Sequence, residues 1–428
     1  MSYINPEQLG FGDNQSVDAF GRLRVSTGNT EFDSQFEYGL DTRSSWDACA
    51  NGTLSISTGS SNGSITNGSN AVGPVDSNTR MCPITVSTTN GHYSILQSRQ
   101  YTRYIPGKSH LVFITGVFST GAGATASFIR RTSTSGSVVD NEVAQASWNI
   151  DKFDGTGPSG ITLDTTKTQI MFISAQWLGV GRVVVGFDVD GRLFPAHQFM
   201  NANVLTVPYT QTFNLPVRME VRNTGASTCV TRVGYFDSAN GILFQTTRST
   251  AGGTAYINCC SVQSEGGLEQ RGFPFSAPPT VGGIAVTTRR PVLSIRPKTT
   301  FNSRTNRGHI ELADFEISAK TNDCFYEIVI GGTLTGAVFN SVDTNSITEY
   351  DTTASAISGG TVLIGGIAIS GSGSSRASVN GTSDLRNPLT LSQIDALTAT
   401  QPNLTIVATS LSGTSTVTGL FNWHEQYI

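Results

Sequence analysis

The stretch Gly-Arg-Val-Val-Val-Gly-Phe-Asp-Val-Asp-Gly-Arg-Leu-Phe, residues 181–194, decides the fold class of this chain. Its two halves are rich in β-branched and aromatic residues, which favour strands. Between them lies Asp190-Gly191, a pair that suits a two-residue type I′ turn, in which both residues need a positive φ. The stretch therefore predicts a β-hairpin.

Short apolar runs bounded by polar turns recur on both sides of this hairpin. Such strand signals lie at residues 110–115, 169–173, 217–221, 255–259, 291–295, 324–330, 360–364 and 404–408. Residues 389–397 are the one clear helix candidate, and it is short. Many strands with so little helix predict an all-β protein: a jelly-roll-like β-sandwich, a second smaller β domain and an extended N-terminal arm.

The composition supports this fold class. Of the 428 residues, 37% are apolar and 14% are charged, while glycine alone contributes 46. A coiled-coil protein needs far more Ala, Glu, Lys and Leu. The 22 phenylalanines and 11 tyrosines argue against disorder, because they supply the large buried areas that offset chain entropy.

The order of these signals along the chain predicts four segments. They are an N-terminal attachment arm at 1–40, the sandwich at 41–265, a linker at 266–285 and the C-terminal β domain at 286–428. Residues 50–75 are nearly low-complexity, and their remaining alternation predicts edge strands between polar turns.

Residues 365–373 form an apolar, flat and uncharged run. A strand of this composition on an exposed sheet edge is prone to aggregate. Burial in a subunit interface would remove that hazard, and we state this as a hypothesis. A clean monomer in light scattering at micromolar concentration contradicts it.

The charge balance bears on the partners of the chain. The formal net charge is −4 and the sequence pI is about 5.8, so the basic excess of a nucleic-acid binder is missing. The sequence has no run of about twenty apolar residues, as a membrane span requires. Its first residues lack the regions of a signal peptide, which predicts synthesis in the host cytoplasm.

The six cysteines are scattered, without a CxxC pair or metal-ligand spacing. This pattern predicts buried, reduced thiols. Cys259 and Cys260 are adjacent, and we expect their side chains on opposite faces of one strand.

Several motifs together identify a family resemblance. They are Asp18-Ala19-Phe20-Gly21-Arg22-Leu23-Arg24-Val25-Ser26 with residues 32–35, then residues 98–101, 104–109, 148–157, 176–182, 214–218 and 264–267. In combination they resemble a widespread group of tailed-bacteriophage virion structural proteins, the tail, neck and whisker type of appendage protein. The resemblance covers roughly the first two thirds of the chain.

The resemblance implies a non-enzymatic component of the virion, such as a neck or collar whisker, a tail fibre or a fibre adaptor. It implies attachment through the N-terminal arm, with Asp18, Phe20, Arg22, Leu23 and Arg24 at the interface. The strand in this arm would extend a sheet on a partner. Other neck, tail or baseplate proteins are the expected partners, and the habit of such appendages predicts a homotrimer.

Residues 151–157 (Asp-Lys-Phe-Asp-Gly-Thr-Gly) offer two carboxylates, but the alternate oxygen ligands and distal Glu of an EF-hand are missing. A turn in which the Asp side chains cap backbone N–H groups is favoured over a calcium site. The five histidines form no i, i+4 pair, and residues 371–375 miss the Gly-x-Ser-x-Gly pattern. We predict no catalytic residue, no metal and no cofactor.

One cluster concentrates positive charge: Arg289, Arg290, Arg296, Lys298, Arg304 and Arg307. It suits either an anionic surface or DNA or, as we favour, a strand face paired with acidic neighbours such as Glu311, Asp314 and Glu316.

Two rival functions remain open. A host-surface glycan- or receptor-binding module needs an exposed aromatic cleft, for which Trp46, Trp148, Trp177 and Trp423 are the candidates, although core packing is the commoner fate of Trp. A glycan hydrolase needs two carboxylates across a groove.

Overall fold

The computed structural model describes residues 16–17, 23–24, 29–37, 46–55, 64–121, 123–264, 272–280, 282–371, 377–379 and 401–426. Contacts between Cα atoms divide the chain into two units. The first comprises Met1–Glu269 and Ile394–Ala396, and the second comprises Gln270–Gln393 and Leu397–Ile428. Among the described residues, no helix has the length and apolar character needed to cross a membrane.

Within its described residues, the first unit contains nineteen strands and one short 3-10 helix, Gln145–Ser147. The strands are β1 (Ser16–Val17), β2 (Leu23–Arg24), β3 (Asn29–Gln35), β4 (Trp46–Ala50), β5 (Thr53–Ser55), β6 (Ile65–Asn67), β7 (Asn70–Val72), β8 (Cys82–Val86), β9 (Tyr93–Ser98), β10 (Ser109–Val117), β11 (Thr125–Thr132), β12 (Val139–Ala144), β13 (Thr168–Gln176), β14 (Val183–Val189), β15 (Arg192–Phe199), β16 (Val217–Gly225), β17 (Thr228–Phe236), β18 (Gly241–Arg248) and β19 (Gly253–Ser264).

Two antiparallel sheets of the first unit enclose one apolar core. The nine-stranded sheet runs β15-β14-β13-β10-β19-β8-β7-β6, with β3 also beside β19, and the eight-stranded sheet runs β12-β11-β18-β17-β16-β9-β4-β5. Strands β8, β9, β10 and β11 alternate between the two sheets, as in a jelly roll. Core aromatics such as Phe128, Phe187 and Phe244 come from both sheets. The predicted jelly-roll-like sandwich is confirmed.

The hairpin that suggested this fold is formed by β14 and β15. Asp190 has a φ of 56° and Gly191 a φ of 76°, as a type I′ turn requires. A bulge follows Val185, and a Cβ on Gly186 would approach the Phe194 carbonyl oxygen to 2.2 Å. Only glycine fits at this bulge.

The low-complexity region forms sheet edges, as predicted. Strand β5 ends the eight-stranded sheet and β6 ends the path of the nine-stranded sheet. The adjacent cysteines lie on opposite faces of β19, as predicted. Cys260 packs in the core, whereas Cys259 is half-buried on the other face. All six cysteines are free.

The predicted arm at 1–40 is too long at its C-terminal end, because strand β3 belongs to the sandwich. This strand pairs with β19 from Cys259 to Ser264, so residues 29–37 belong to the sandwich. Phe32 and Phe36 are buried against Trp46, with ring centroids 5.6 and 5.4 Å apart. Upstream, β1 and β2 pair antiparallel, so the predicted short strand at Leu23 finds its partner in its own chain.

Within its described residues, the second unit contains fifteen strands. They are β20 (Phe273–Ala277), β21 (Ile284–Val286), β22 (Arg290–Pro297), β23 (Thr300–Phe301), β24 (Arg304–Thr305), β25 (His309–Ala319), β26 (Cys324–Ile330), β27 (Thr333–Thr335), β28 (Asn340–Ser341), β29 (Thr348–Asp351), β30 (Ala356–Ser358), β31 (Thr361–Ala368), β32 (Ala377–Val379), β33 (Leu404–Ser410) and β34 (Ser415–Gln426).

Eleven of these strands form two sheets of a second, smaller sandwich, which confirms the predicted smaller β domain, and β23-β24 and β27-β30 form two-stranded sheets. One sheet runs β20-β34-β25-β32, with β21 also on β34, and the other runs β28-β29-β22-β33-β26-β31. Phe315 and Phe421 from the first sheet pack with Ile328 and Ile406 from the second. The helix candidate at 389–397 lies outside the described residues.

Part of the predicted linker at 266–285 is strand. Strands β20 and β21 both pair with β34, and Phe275 stacks on Trp423. The prolines and glycines of this segment suggested a loop. However, β20 ends its sheet, and an edge strand tolerates a proline such as Pro274 because no neighbour needs its missing N–H.

Candidate interaction surface

The predicted attachment residues lie mostly outside the described part of the chain. This applies to Asp18, Phe20 and Arg22. Leu23 and Arg24 are described only as strand β2. Their role in attachment stays a prediction.

The acidic loop at 151–157 is a capped turn. Asp151 is buried, and its two carboxylate oxygens accept hydrogen bonds from the N–H groups of Phe153 (2.8 Å) and Ser159 (2.7 Å). Asp154 accepts from the N–H (2.9 Å) and hydroxyl (2.6 Å) of Thr156. A Cβ on Gly157 would approach Asp151 Oδ1 to 2.1 Å, so glycine is required here. The favoured capping interpretation is confirmed.

The four tryptophans pack inside the sandwiches. Trp46, Trp148 and Trp423 are buried, and Trp177 is half-buried against the first core. The Trp177 indole N–H donates to Thr210 Oγ1 at 2.8 Å, and that of Trp423 to Glu425 Oε1 at 3.0 Å. Trp46, Trp148 and Trp423 therefore offer no open ring face of the kind that sugars stack on, and Trp177 is covered only in part.

The basic cluster at 289–307 is largely paired within the chain. Arg289 donates to Glu327 at 2.7 Å, and Arg296 donates to Glu349 at 2.6 Å. Lys298 Nζ donates to Ser341 Oγ and to the Ser346 carbonyl oxygen. The favoured interpretation is therefore confirmed in kind, but the partners are Glu327 and Glu349. The suggested partners were wrong because strand pairing joins residues distant in sequence.

A buried network of charges covers part of the outer face of the eight-stranded sheet. Glu220 accepts from Arg218 (2.6 Å), Arg222 (3.0 Å) and Arg232 (3.2 Å), and both Glu220 and Arg218 are fully buried. Burial alone would raise the pKa of Glu220, but the charges of these arginines hold it well below its ordinary value. The Glu220 carboxylate is therefore ionised, and it holds the three arginine side chains in place.

A second buried polar cluster joins β3 to the body of the first sandwich. His110 Nε2 donates to the Arg103 carbonyl oxygen at 3.1 Å and lies 4.0 Å from Glu31 Oε1. His110 Nδ1 lies 3.1 Å from the Tyr235 hydroxyl. Burial raises the pKa of Glu31 to about 7 and lowers that of His110 to about 4. Both side chains are therefore neutral in mildly acidic solution.

We expect Glu31→Gln to stabilise the first sandwich in alkaline solution. The native state of the parent holds the Glu31 proton, so its stability falls as pH rises from 4.5 to about 7. At roughly 1.4 kcal/mol per pH unit, the loss above pH 8 is about 3 kcal/mol. The charges of Arg103 and Lys108 and the Ser264 hydroxyl partly offset the burial.

Urea denaturation midpoints of parent and Glu31→Gln, measured from pH 5 to 9, check this prediction. The two proteins should differ least at pH 5 and diverge up to about pH 7, and the difference should stay constant above about pH 8. Below pH 6.5 Glu31→Gln should lose stability as pH falls, because His110 takes up a proton only in the unfolded chain, whereas in the parent the Glu31 contribution offsets this loss. Parallel curves over the whole range contradict the prediction.

Two loops at one end of the first sandwich are fastened to each other. The turn between β13 and β14 closes through a 2.7 Å hydrogen bond from Gly181 N to the Trp177 carbonyl oxygen. It binds the segment after β15 in two places: Tyr209 N donates to the Gly179 carbonyl oxygen at 2.8 Å, and Asn201 Nδ2 donates to the Gly181 carbonyl oxygen at 2.6 Å.

Steric constraints explain why glycines occupy two positions of this turn. A Cβ on Gly181 would approach the Gln176 carbonyl oxygen to 1.9 Å, and Gly179 has a φ of 79° and lies against Pro208. The Leu178 N–H donates to the Tyr104 hydroxyl at 3.0 Å. The two loops are thus held together by hydrogen bonds between backbone groups and by hydrogen bonds between the backbone and the side chains of Asn201 and Tyr104.

The joined loops expose five large apolar side chains. They are Leu178 (53%), Val180 (37%), Met200 (54%), Val204 (66%) and Val207 (50%), which we call the end patch. Residues 193–217 contain no Asp, Glu, Lys or Arg. Apolar side chains exposed on a surface with few charges are typical of a protein–protein contact. In the sequence, the end patch is visible in part as the apolar, glycine-rich stretch Trp177-Leu178-Gly179-Val180-Gly181.

Comparisons with known proteins give no family. No family model matches the chain, and no curated protein matches it. Among solved structures, a prokaryotic β-1,3-1,4-glucanase from a mouse hindgut metagenome is 10% identical, covering 55% of this chain and 99% of that chain with a TM-score of 0.19. A lectin from Bauhinia forficata in complex with GalNAc is 12% identical, covering 55% and 98% with a TM-score of 0.17.

The tandem CBM22 domains of Paenibacillus barcinonensis Xyn10C are 9% identical, covering 94% of this chain and 98% of that chain, with a TM-score of 0.20. Likenesses at such low identities and TM-scores carry no argument about function. The candidate function therefore depends on the residues of this chain.

Proposed function

We propose that this chain is a non-enzymatic structural component of a tailed-phage particle that works by binding other virion proteins. The observation that carries the proposal is the end patch, where five apolar side chains are exposed on loops fixed by hydrogen bonds. The motif that begins at Asp18 supports the phage context, through the family resemblance of the sequence.

The chemistry of the buried polar groups is consistent with a structural role. Glu220 is neutralised by arginines, and both oxygens of Asp151 accept backbone N–H groups. Groups held in this way stabilise loops and sheets. Three of the four tryptophan candidates of the glycan-binding alternative are buried in the cores, and the fourth, Trp177, is half-buried.

We expect Val204→Asp to remove the chain from particles without unfolding it. Val204 is 66% exposed, so a charge there costs little in the free chain but is desolvated in an apolar contact. The measurement is the amount of this chain in purified particles, by mass spectrometry, beside its melting temperature in solution.

Val138→Asp is the matched control, because Val138 is 52% exposed on the loop before β12 and is not one of the five end-patch residues. It should enter particles at the parental level. If Val204→Asp enters equally well, the end patch is not the contact. If the parent chain is itself missing from particles, the whole proposal is wrong.

Deletion of residues 1–28 tests the attachment arm. This boundary leaves β3 intact, whereas a cut at residue 30 would remove its first two residues. We expect the shortened chain to fold with the parental melting temperature and to be missing from particles. Normal incorporation would refute the role of the arm.

A further inference from the structure

The six-stranded sheet of the second sandwich ends in an unusual strand. Strand β31 pairs with β26, and no other strand of the described residues pairs with its opposite edge. Such an edge presents backbone N–H and C=O groups that can template pairing with another strand.

The exposed side of this edge is apolar. Ile367 is 56% exposed, Val362 48% and Leu363 36%. Phe325, which lies directly across from Ile367 on β26, is 39% exposed. Ile364 and Ala368 point the other way and pack in the core, so a partner that pairs with this edge would cover the apolar row without disturbing the sandwich.

The edge also lacks the charges and prolines that commonly block strand pairing. Residues 352–375 contain no Asp, Glu, Lys, Arg, His or Pro. A bulge at the register shift between Ile328 and Val329 interrupts the pairing near Leu363 and leaves residues 364–368 as the regular part. In this part Gly365 and Gly366 offer little steric resistance to an approaching backbone.

We infer that β31 pairs antiparallel with β31 of a second copy of this chain, around a two-fold axis near Ile367. The second copy fits because the edge is uncharged, so no like charges meet when it faces itself. A two-fold axis perpendicular to the sheet keeps every side chain on its own face. The two Ile367 side chains would therefore lie together on the outer face, beside both copies of Phe325.

The inference rests on the proposed assembly function and names one of its contacts. A two-fold contact of this kind closes on itself and produces a dimer. It therefore competes with the homotrimer expected from the sequence.

Sedimentation equilibrium of the full chain at about 10–100 µM, a range in which micromolar affinities are measurable, tests the pairing. We expect a dimer for the parent and a monomer for Ile367→Lys, because two lysines would then face each other at the axis. Val138→Lys is the matched control, because Val138 is an exposed aliphatic residue of the first sandwich outside the end patch, and this variant should stay dimeric. Circular dichroism checks that all three chains keep their fold.

A monomeric or trimeric parent overturns the pairing, and so does a dimer that survives Ile367→Lys. Ile367→Cys gives an independent readout. Under mild oxidation it should form a disulfide-linked dimer, whereas Val138→Cys should not. If the parent is monomeric but present in particles, the pairing is refuted and the proposed function stands. If the parent is a dimer but missing from particles, the proposed function is refuted and the pairing stands.

Discussion

Replacing Glu220 with alanine should lower the free energy of unfolding of the first sandwich by about 3–5 kcal/mol. The side chain is 1% exposed and sits between three arginines, of which Arg218 is fully buried. Removing the carboxylate leaves the fully buried charge of Arg218 without its partner, beside the two partly exposed arginines. Repulsion among Arg218, Arg222 and Arg232 then replaces an attraction that offset their desolvation.

Hydrogen exchange in urea measures this effect for each sandwich separately. Amides of β16 and β17 should lose protection at lower urea, while those of the second unit keep the parental midpoint. Glu37→Ala, which removes an exposed carboxylate of the same unit, is the control and should change stability by less than about 0.5 kcal/mol. Equal midpoints for Glu220→Ala and Glu37→Ala would mean that the arginines are not held by this carboxylate.

The sequence predicted those parts of the fold that depend on local pattern. The hairpin at Asp190-Gly191 is one, since its turn residues and flanking β-branched runs agree. Strand β3 was missed because Asn-Thr-Glu-Phe-Asp-Ser-Gln contains a single apolar residue. Its position comes from pairing with β19, more than two hundred residues away, and such pairing leaves no local signal.

The polar clusters were missed for a related reason. Arg218, Glu220 and Arg222 alternate with apolar residues, a pattern that normally marks the solvent face of a strand. The end patch had a visible signal in Trp177 to Gly181, but only the joined loops reveal that Leu178 and Val180 are exposed. Periodicity tells which residues share a face, and it does not tell what covers that face.

Glu425 of the second sandwich should be as sensitive as Glu220, for a different reason. This carboxylate is fully buried and accepts four hydrogen bonds, from Ser346 Oγ (2.6 Å), Ile347 N (2.7 Å), Thr348 Oγ1 (2.5 Å) and Trp423 Nε1 (3.0 Å). It fastens the turn before β29 to the last strand of the other sheet.

We expect Glu425→Ala to lower the free energy of unfolding by about 3–5 kcal/mol, because it leaves several buried hydrogen-bond donors without an acceptor. Glu425→Gln should cost less, since one oxygen remains, although its amide N–H then faces the N–H of Ile347. Asp343→Ala, an exposed acid that caps Asn345 in the same turn, should cost below about 1 kcal/mol. Hydrogen exchange of β29 and β34 gives the three values. If alanine and glutamine cost the same at position 425, the lost carboxylate charge, and not the number of unpaired donors, sets the penalty.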